Sequence, residues 1–263
     1  MARYFMELAY KGTNYHGWQI QPNGISIQEA LEKALGTIFS TNIDITGAGR
    51  TDAGVHAAYM VAHFDTEQPI LDCNKLTNRL NRILPNDIAV MSVSEVAADS
   101  HSRFSAISRK YEYHITFEKN PFLFGLAHKV NYNLDFDLMN EAAATLLLYN
   151  DFTSFSKLHS DVKNNLCTVT QSFWQERDNK WVYTIEANRF LRNMVRAIVG
   201  TLLDVGRTKI TTNQFIEIIE AKDRSFAGTS APPQGLYLVD IKYPEDVFMK
   251  VSSKTNNLVT TNR

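Results

Sequence analysis

The chain has 263 residues, of which 44% are hydrophobic and 21% are charged, as is typical of a soluble globular protein with two ordinary domains or one large one. The formal net charge of −1 argues against a broadly basic nucleic-acid-binding surface but is compatible with a local basic groove. Two cysteines exclude a disulfide framework, and no apolar run approaches the length of a membrane span, so a cytoplasmic protein is expected.

The N-terminal part of the chain predicts the order β-α-β-β-α-β, which is the ferredoxin-like pattern. Alternating apolar residues indicate the strands, and apolar residues spaced by three and four indicate the helices. Ser26 and Glu29 form a candidate capping box for the first helix, and Asp72 is suited to cap the second. The predicted strands are 5–10, 43–45, 58–64 and 88–96, and the predicted helices are 27–39 and 73–84.

The C-terminal part predicts the related order β-α-β-β-α-α-β, in which Asp135 or Asp137 caps the first helix and Gly206 ends the second. The predicted strands are 108–117, 166–176, 181–187 and 236–243, and the predicted helices cover 138–147, 190–206 and 215–219. The expected fold is therefore α+β, with two ferredoxin-like (RRM-like) αβ halves whose antiparallel sheets meet at a central cleft. We expect these halves at residues 1–105 and 106–245, followed by a flexible tail at 246–263.

The segment Gly47–Ala57 combines three glycines with a group of charged and polar residues, and glycine permits close approach of another molecule to the backbone. Asp52 is the only carboxylate in this segment and is a candidate nucleophile that the nearby Arg50 would keep ionised. From spacing alone, however, a tight turn with a local Arg50–Asp52 ion pair is favoured over a catalytic site. His56 and His63 are predicted to be structural rather than metal ligands.

Two basic clusters are suited to a negatively charged, planar substrate. The first flanks the strand of Tyr111, whose ring is suited to stack on a base or to fill the core, and comprises Arg103, Arg109 and Lys110. The second recurs at spacings of three and four, which predicts one face of a helix, and comprises Arg189, Arg192 and Arg196. Arginines without an intervening acid favour a phosphate track over a solvated face, which normally mixes charges of both signs.

Seven short motifs extend from Tyr10 to about Tyr243: YKGTNYHGWQ at 10–19, GRTDAGVH at 49–56, RFSA at 103–106, RKYEY at 109–113, NDFTSF at 150–155, MVRAIVG at 194–200 and GLYL at 235–238. Together they resemble the tRNA pseudouridine synthase A family. The GRTDAGVH run is the most specific of the seven, and the resemblance covers nearly the whole chain.

This resemblance implies isomerisation of uridine to pseudouridine at positions 38, 39 and 40 of the tRNA anticodon stem-loop by a homodimer that needs no cofactor and no metal. It implies that Asp52 is the nucleophile, that Arg196 pairs with it, and that Tyr111 packs on the target base and is a candidate for proton transfer at C5. The residues expected to bind substrate are Tyr111, Arg50, Arg103, Arg109 and Arg192. The sequence leaves open whether Asp52 attacks C6 of the base, attacks C1′ of the sugar or abstracts a sugar proton.

Two other classes of function fit parts of the sequence. An RNA-binding module without catalysis is disfavoured because Asp52, Tyr111 and Arg196 are all present. A small-molecule lyase or glycosidase with a single carboxylate is disfavoured because no second acid at a fixed partner distance is evident.

Overall fold

The computed structural model describes residues 1–157 and 164–248 of the chain. The strands in this part are β1 (Ala2–Tyr10), β2 (Ile45–Gly47), β3 (His56–Thr66), β4 (Ile88–Val96), β5 (Ser108–Thr116), β6 (His128–Lys129), β7 (Val169–Arg177), β8 (Lys180–Ala187) and β9 (Leu236–Lys242). The α-helices are α1 (Ile27–Phe39), α2 (Cys73–Ile83), α3 (Phe136–Thr145), α4 (Met194–Gly206) and α5 (Thr212–Ala221). The predictions for α1 and β4 are confirmed residue for residue.

The helix starts follow the predicted capping residues. The side chains of Ser26, Asp72 and Asp135 each accept a hydrogen bond from a backbone N–H of the first helical turn. These bonds satisfy N–H groups that have no partner inside the helix, which fixes where α1, α2 and α3 begin. Of the two aspartates proposed for α3, Asp135 is therefore the cap.

The strands form one nine-stranded sheet with the order β4-β1-β3-β9-β5-β8-β7, to which β2 adds on β3 and β6 on β5. The α+β class is confirmed, but the expected pair of separate antiparallel sheets is not found. β3 and β9 pair in parallel through His56–Tyr237 and Ala57–Leu238 and join the two halves into a mixed sheet. β9 lies at this junction because its apolar residues contribute to two different cores.

The first core packs β1, β3 and β4 against α1 and α2, and the second packs β5, β7 and β8 against α3, α4 and α5. Leu238 and Ile241 of β9 belong to the first core, whereas Leu236 belongs to the second. Tyr111 of β5 is partly buried against both cores. The fold therefore places Tyr111 at the boundary between the two halves of the chain.

The helix predicted to start near Phe190 instead begins at Met194, because Asn193 takes a left-handed conformation with φ of +65° and Asn tolerates this conformation better than most residues. Arg189 and Arg192 therefore precede α4 and do not share a helical face with Arg196, so the predicted three-arginine face is wrong.

The residues that follow β9 form a short element next to the first core. Glu245–Phe248 forms a short 3-10 helix in which Val247 is buried, and the Phe248 ring packs against Phe5 and Tyr243. The rest of the predicted tail, 249–263, lies outside the described residues. Within the described ranges, no helix combines the length and the apolar character needed to cross a membrane.

Candidate active site

Asp52 lies in the glycine-rich connection between β2 and β3, and the backbone on both sides of it is held by neighbouring segments. The N–H of Trp18 donates to the Thr51 carbonyl at 3.1 Å, and the N–H of Gly54 donates to the Tyr15 carbonyl at 3.3 Å. These bonds fix the residues that precede and follow the carboxylate, so its direction is set before a ligand arrives.

A pair of buried hydroxyl groups also holds this loop against β1. The Tyr10 hydroxyl lies 2.9 Å from Thr51 Oγ1, and both residues are buried. Gly17 approaches so closely that a Cβ at its position would lie 2.4 Å from the Thr51 carbonyl oxygen, and its φ of +89° is one that glycine adopts readily. Only glycine therefore fits at this position.

The Asp52 carboxylate forms an ion pair with Arg196, a residue distant in sequence. Arg196 Nη1 donates to Asp52 Oδ2 at 3.2 Å, and the two side chains are 19% and 29% exposed. The local ion pair expected between Arg50 and Asp52 is not formed: Arg50 is exposed, and no acidic group of the described residues pairs with it. Arg196 in the first turn of α4 supplies the cation that pairs with Asp52. Partial burial makes this pair stronger than one on the open surface.

The guanidinium of Arg196 is held in place by the segment 229–231. Arg196 Nε donates to the Ala231 carbonyl at 2.8 Å, and the Ala231 N–H donates to the Arg196 carbonyl at 2.9 Å. Asn193 Nδ2 donates to Ser230 Oγ at 2.6 Å and so ties the start of α4 to the same segment. One guanidinium edge is thus used for positioning, and the other faces Asp52.

Gly200 of α4 lets the segment 229–231 approach the helix. A Cβ at Gly200 would lie only 1.8 Å from the Thr229 carbonyl oxygen. Sequence analysis missed this segment, but a glycine inside a strongly apolar helix is a signal for close packing that would have drawn attention to α4.

Tyr111 is half-buried in β5 and contacts the ring of Phe190 edge-on, with ring centroids 5.0 Å apart. Burial raises the pKa of Tyr111 to about 12; the Arg109 charge opposes this rise and the Asp52 charge adds to it. The phenol is therefore neutral at physiological pH. In this state it is available as a flat, apolar surface with one hydroxyl group rather than as a phenolate base.

Arg109, one of the residues expected to bind substrate, is engaged by the protein itself. Its guanidinium donates to four backbone carbonyls, which belong to Ala48, Arg103, Ala106 and Asn188. Four of its five N–H groups are thus used to join the glycine-rich loop to two other segments. This geometry makes Arg109 a structural link and leaves little of it for a phosphate.

The other predicted basic residues differ in exposure, and Lys110 is partly buried with its Nζ 3.4 Å from Glu186 Oε2. Arg103 and Arg192 are exposed, and the Arg103 guanidinium lies over the Phe104 ring at 5.5 Å. Arg189 donates to Asn164 Oδ1 at 3.3 Å. The structure therefore pairs Arg196 with Asp52, and it places Tyr111 near enough for the Asp52 charge to contribute to the raised pKa of the phenol.

The two histidines near this loop are engaged by protein groups. His56 Nδ1 accepts the N–H of Gly12 at 3.0 Å, and His63 Nδ1 lies 2.8 Å from Ser102 Oγ. Burial lowers the pKa of both rings, that of His63 to about 4. Among the residues that the structure describes, no three His, Cys, Asp or Glu side chains come together as a possible metal site.

Comparison with known proteins gives concordant matches over nearly the whole chain. The model of a family described as tRNA pseudouridine synthase matches residues 8–105 and 142–244. A Bacteroides thetaiotaomicron protein named tRNA pseudouridine synthase A is 55% identical over 97% of this chain and 96% of its own length. Proteins of the same name from Bacteroides fragilis and Exiguobacterium sibiricum are 57% and 38% identical, over 94% and 93% of this chain and 98% of each relative.

Proposed function

The chain belongs to the tRNA pseudouridine synthase family, and we propose that it isomerises uridine to pseudouridine at positions 38, 39 and 40 of the tRNA anticodon stem-loop. The observation that carries this proposal is the ion pair between Asp52 and Arg196, two residues 144 positions apart in the chain. A pairing of this kind depends on the whole fold, and it leaves a partly exposed carboxylate in a glycine-rich loop. This is the arrangement that a carboxylate-based reaction on an external substrate needs.

The reaction breaks the bond between N1 of the base and C1′ of the ribose and forms a bond between C5 and C1′. The C5 proton leaves to water and N1 takes up a proton, so the product is an isomer of the substrate. Asp52 is the reacting carboxylate, and addition to C6, attack at C1′ and removal of a sugar proton are the three steps open to it. Arg196 holds the carboxylate in one direction through a charge-assisted hydrogen bond.

The target uridine has to leave the base stack, which costs a few kcal/mol. Tyr111 offers a half-buried ring in the same region as Asp52, so it is suited to pack against the extruded base. Arg50, Arg103 and Arg192 are exposed and are suited to contact phosphates, which offsets part of this cost. We also propose that Arg50 occupies the space that the extruded base leaves; an Arg50→Ala variant with unchanged affinity and turnover would contradict this role.

We infer further that the enzyme is a cytoplasmic homodimer that works without a metal or cofactor, and that its sheet derives from two ferredoxin-like units. Cys73 and Cys167 are free thiols, which fits a reducing compartment. Within each half the strand order is that of the ferredoxin-like unit, with β2 beside β3 in the first and β9-β5-β8-β7 in the second. Sedimentation equilibrium of the purified chain tests the dimer, and activity after dialysis against a chelator tests the independence from metal.

Release of tritium from unmodified tRNA labelled at C5 of uridine tests the central proposal. Wild-type protein is expected to release tritium into water, and Asp52→Asn is expected to release none while keeping its thermal midpoint. Binding without release by the wild type would favour an RNA-binding module, and the absence of both would exclude either RNA function.

A further inference from the structure

Phe104 is an exposed aromatic residue beside the candidate active site. Its side chain is 75% exposed, although a phenylalanine that serves the core would be covered. The Arg103 guanidinium lies 5.5 Å from the centre of its ring, and the His101 ring lies 4.4 Å away. The fold does not use this ring for core packing, and its neighbours are cationic and aromatic groups of the kind found at RNA-binding surfaces.

The turn that carries Phe104 is held rigidly by local hydrogen bonds. The N–H groups of Arg103 and Phe104 both point to His101 Nδ1, at 3.1 and 3.3 Å. The His101 N–H donates to Ser105 Oγ, and the Ser105 N–H donates to the His101 carbonyl, both at 2.9 Å. The exposed ring is therefore presented by an ordered turn, so a ligand has little backbone freedom to remove when it binds.

Arg109 connects this turn to the catalytic loop. Its Nη2 donates both to the Arg103 carbonyl and, at 3.3 Å, to the carbonyl of Ala48. Ala48 is four residues before Asp52, a length of chain that spans at most about 14 Å. The Phe104 turn thus lies on the rim of the region that contains the Asp52 carboxylate.

The surface between the turn and Asp52 is open. A Cβ at Gly49 would meet none of the described atoms within 4 Å, and Arg50 is exposed. No side chain of the described residues fills the space above Gly49. This open space lies in the chain between Ala48, which Arg109 links to the Phe104 turn, and Asp52, so it offers room for RNA beside both.

We propose that Phe104 is a stacking surface for an unpaired nucleobase of the RNA substrate, next to the uridine held at Asp52. This inference rests on the proposed function and assigns the surface where a flanking base is received. Stacking on an aromatic side chain contributes to affinity with little dependence on which base is present. The surface would therefore help the enzyme to accept several target positions with different neighbouring bases.

Binding of unmodified tRNA, measured at one fixed salt concentration, tests this inference with three substitutions. Phe104→Ala is expected to raise Kd by roughly 5- to 150-fold. Phe104→Tyr, which keeps the flat ring, is expected to remain within about threefold of the wild type. Phe104→Leu, which is apolar but has no ring, is expected to be nearly as weak as Phe104→Ala, whereas a simple apolar contact would be restored by leucine.

Leu148→Ala is the matched control, because Leu148 is 80% exposed and follows α3 beside the edge strand β7. This control is expected to bind as the wild type does, and all variants should keep their thermal midpoints. Unchanged Kd in Phe104→Ala, or full recovery in Phe104→Leu, overturns the inference. Tritium release is measured in parallel on the wild type: binding without release refutes the proposed function alone, whereas release by the wild type with unchanged Kd in Phe104→Ala refutes the stacking surface alone.

Discussion

Gly200 of α4 is a position at which one methyl group should disturb the active site. In Gly200→Ala the new Cβ would lie 1.8 Å from the Thr229 carbonyl oxygen, whereas real contacts of this kind do not fall below 3.0 Å. The segment 229–231 must therefore retreat by about 1.2 Å. The Ala231 carbonyl accepts a hydrogen bond from Arg196 Nε, and the Ala231 N–H donates one to the Arg196 carbonyl. A movement of Ala231 therefore also displaces the guanidinium from Asp52.

We expect Gly200→Ala to lower the free energy of unfolding by about 1–3 kcal/mol, the usual cost of excess volume in a packed interior. A displacement of about 1 Å at a reacting group costs roughly 10²-fold in rate, so kcat for tritium release should fall by about that factor. Urea denaturation gives the stability, and single-turnover kinetics at saturating protein give the rate without the contribution of tRNA binding.

Gly36→Ala is the control for this experiment because Gly36 also lies inside a helix, α1, and a Cβ there would meet its nearest neighbour, the Thr41 carbonyl oxygen, at an ordinary 3.5 Å. Alanine is favoured over glycine in a helix by about 1 kcal/mol, so this variant should be more stable than the wild type and fully active. The reasoning is refuted if Gly200→Ala is stabilised in the same way and keeps its kcat.

Three further outcomes follow from the geometry. Arg196→Gln should lower kcat by about 10²-fold or more and should lower the free energy of unfolding by about 1–3 kcal/mol, because the partly buried ion pair with Asp52 and the hydrogen bond from Nε to Ala231 are both lost; a kcat within threefold of the wild type would contradict the role of the pair. Because burial raises the pKa of Tyr111 to about 12, its contribution to the free energy of unfolding is present below about pH 10 and is lost as the pH rises toward 12. Tyr111→Phe should therefore reduce the slope of the unfolding free energy against pH in this alkaline range by one proton. An unchanged slope would count against burial as the cause of the raised pKa. Arg109→Gln should lower the free energy of unfolding by about 1.5–3 kcal/mol, because a neutral amide cannot reach four carbonyls, and should leave the salt dependence of tRNA binding unchanged; a flatter salt dependence would instead show a phosphate contact.

Features that depend on local sequence could be predicted from the residues alone. Ser26 and Asp72 cap their helices because the capping interaction involves residues only two or three positions away. The two-residue turn between β7 and β8 likewise follows from Asp178 and Asn179, which tolerate the positive φ angles found there. The expectation that Arg196 pairs with Asp52 came from the family resemblance, and the structure has this contact.

Features that depend on distant contacts could not be predicted in this way. The start of α4 is shifted because Asn193 bonds Ser230, which lies 37 residues later. The hydrogen bonds of Arg109 could not be predicted because its acceptors are backbone carbonyls of separate segments, and any residue type can supply a carbonyl. The joining of two predicted sheets by β9 depends on apolar residues that serve both cores, and alternation along one strand does not show which core each side chain enters.

Mapping of pseudouridine along a tRNA tests whether the chain modifies positions 38, 39 and 40 by means of Asp52. An unmodified transcript with uridines at positions 38, 39 and 40 is incubated with the wild type or with Asp52→Asn and then probed by carbodiimide modification and primer extension. Reverse-transcription stops are expected at these positions with the wild type, and none are expected with Asp52→Asn. Stops elsewhere in the tRNA, or unchanged stops with Asp52→Asn, would contradict it.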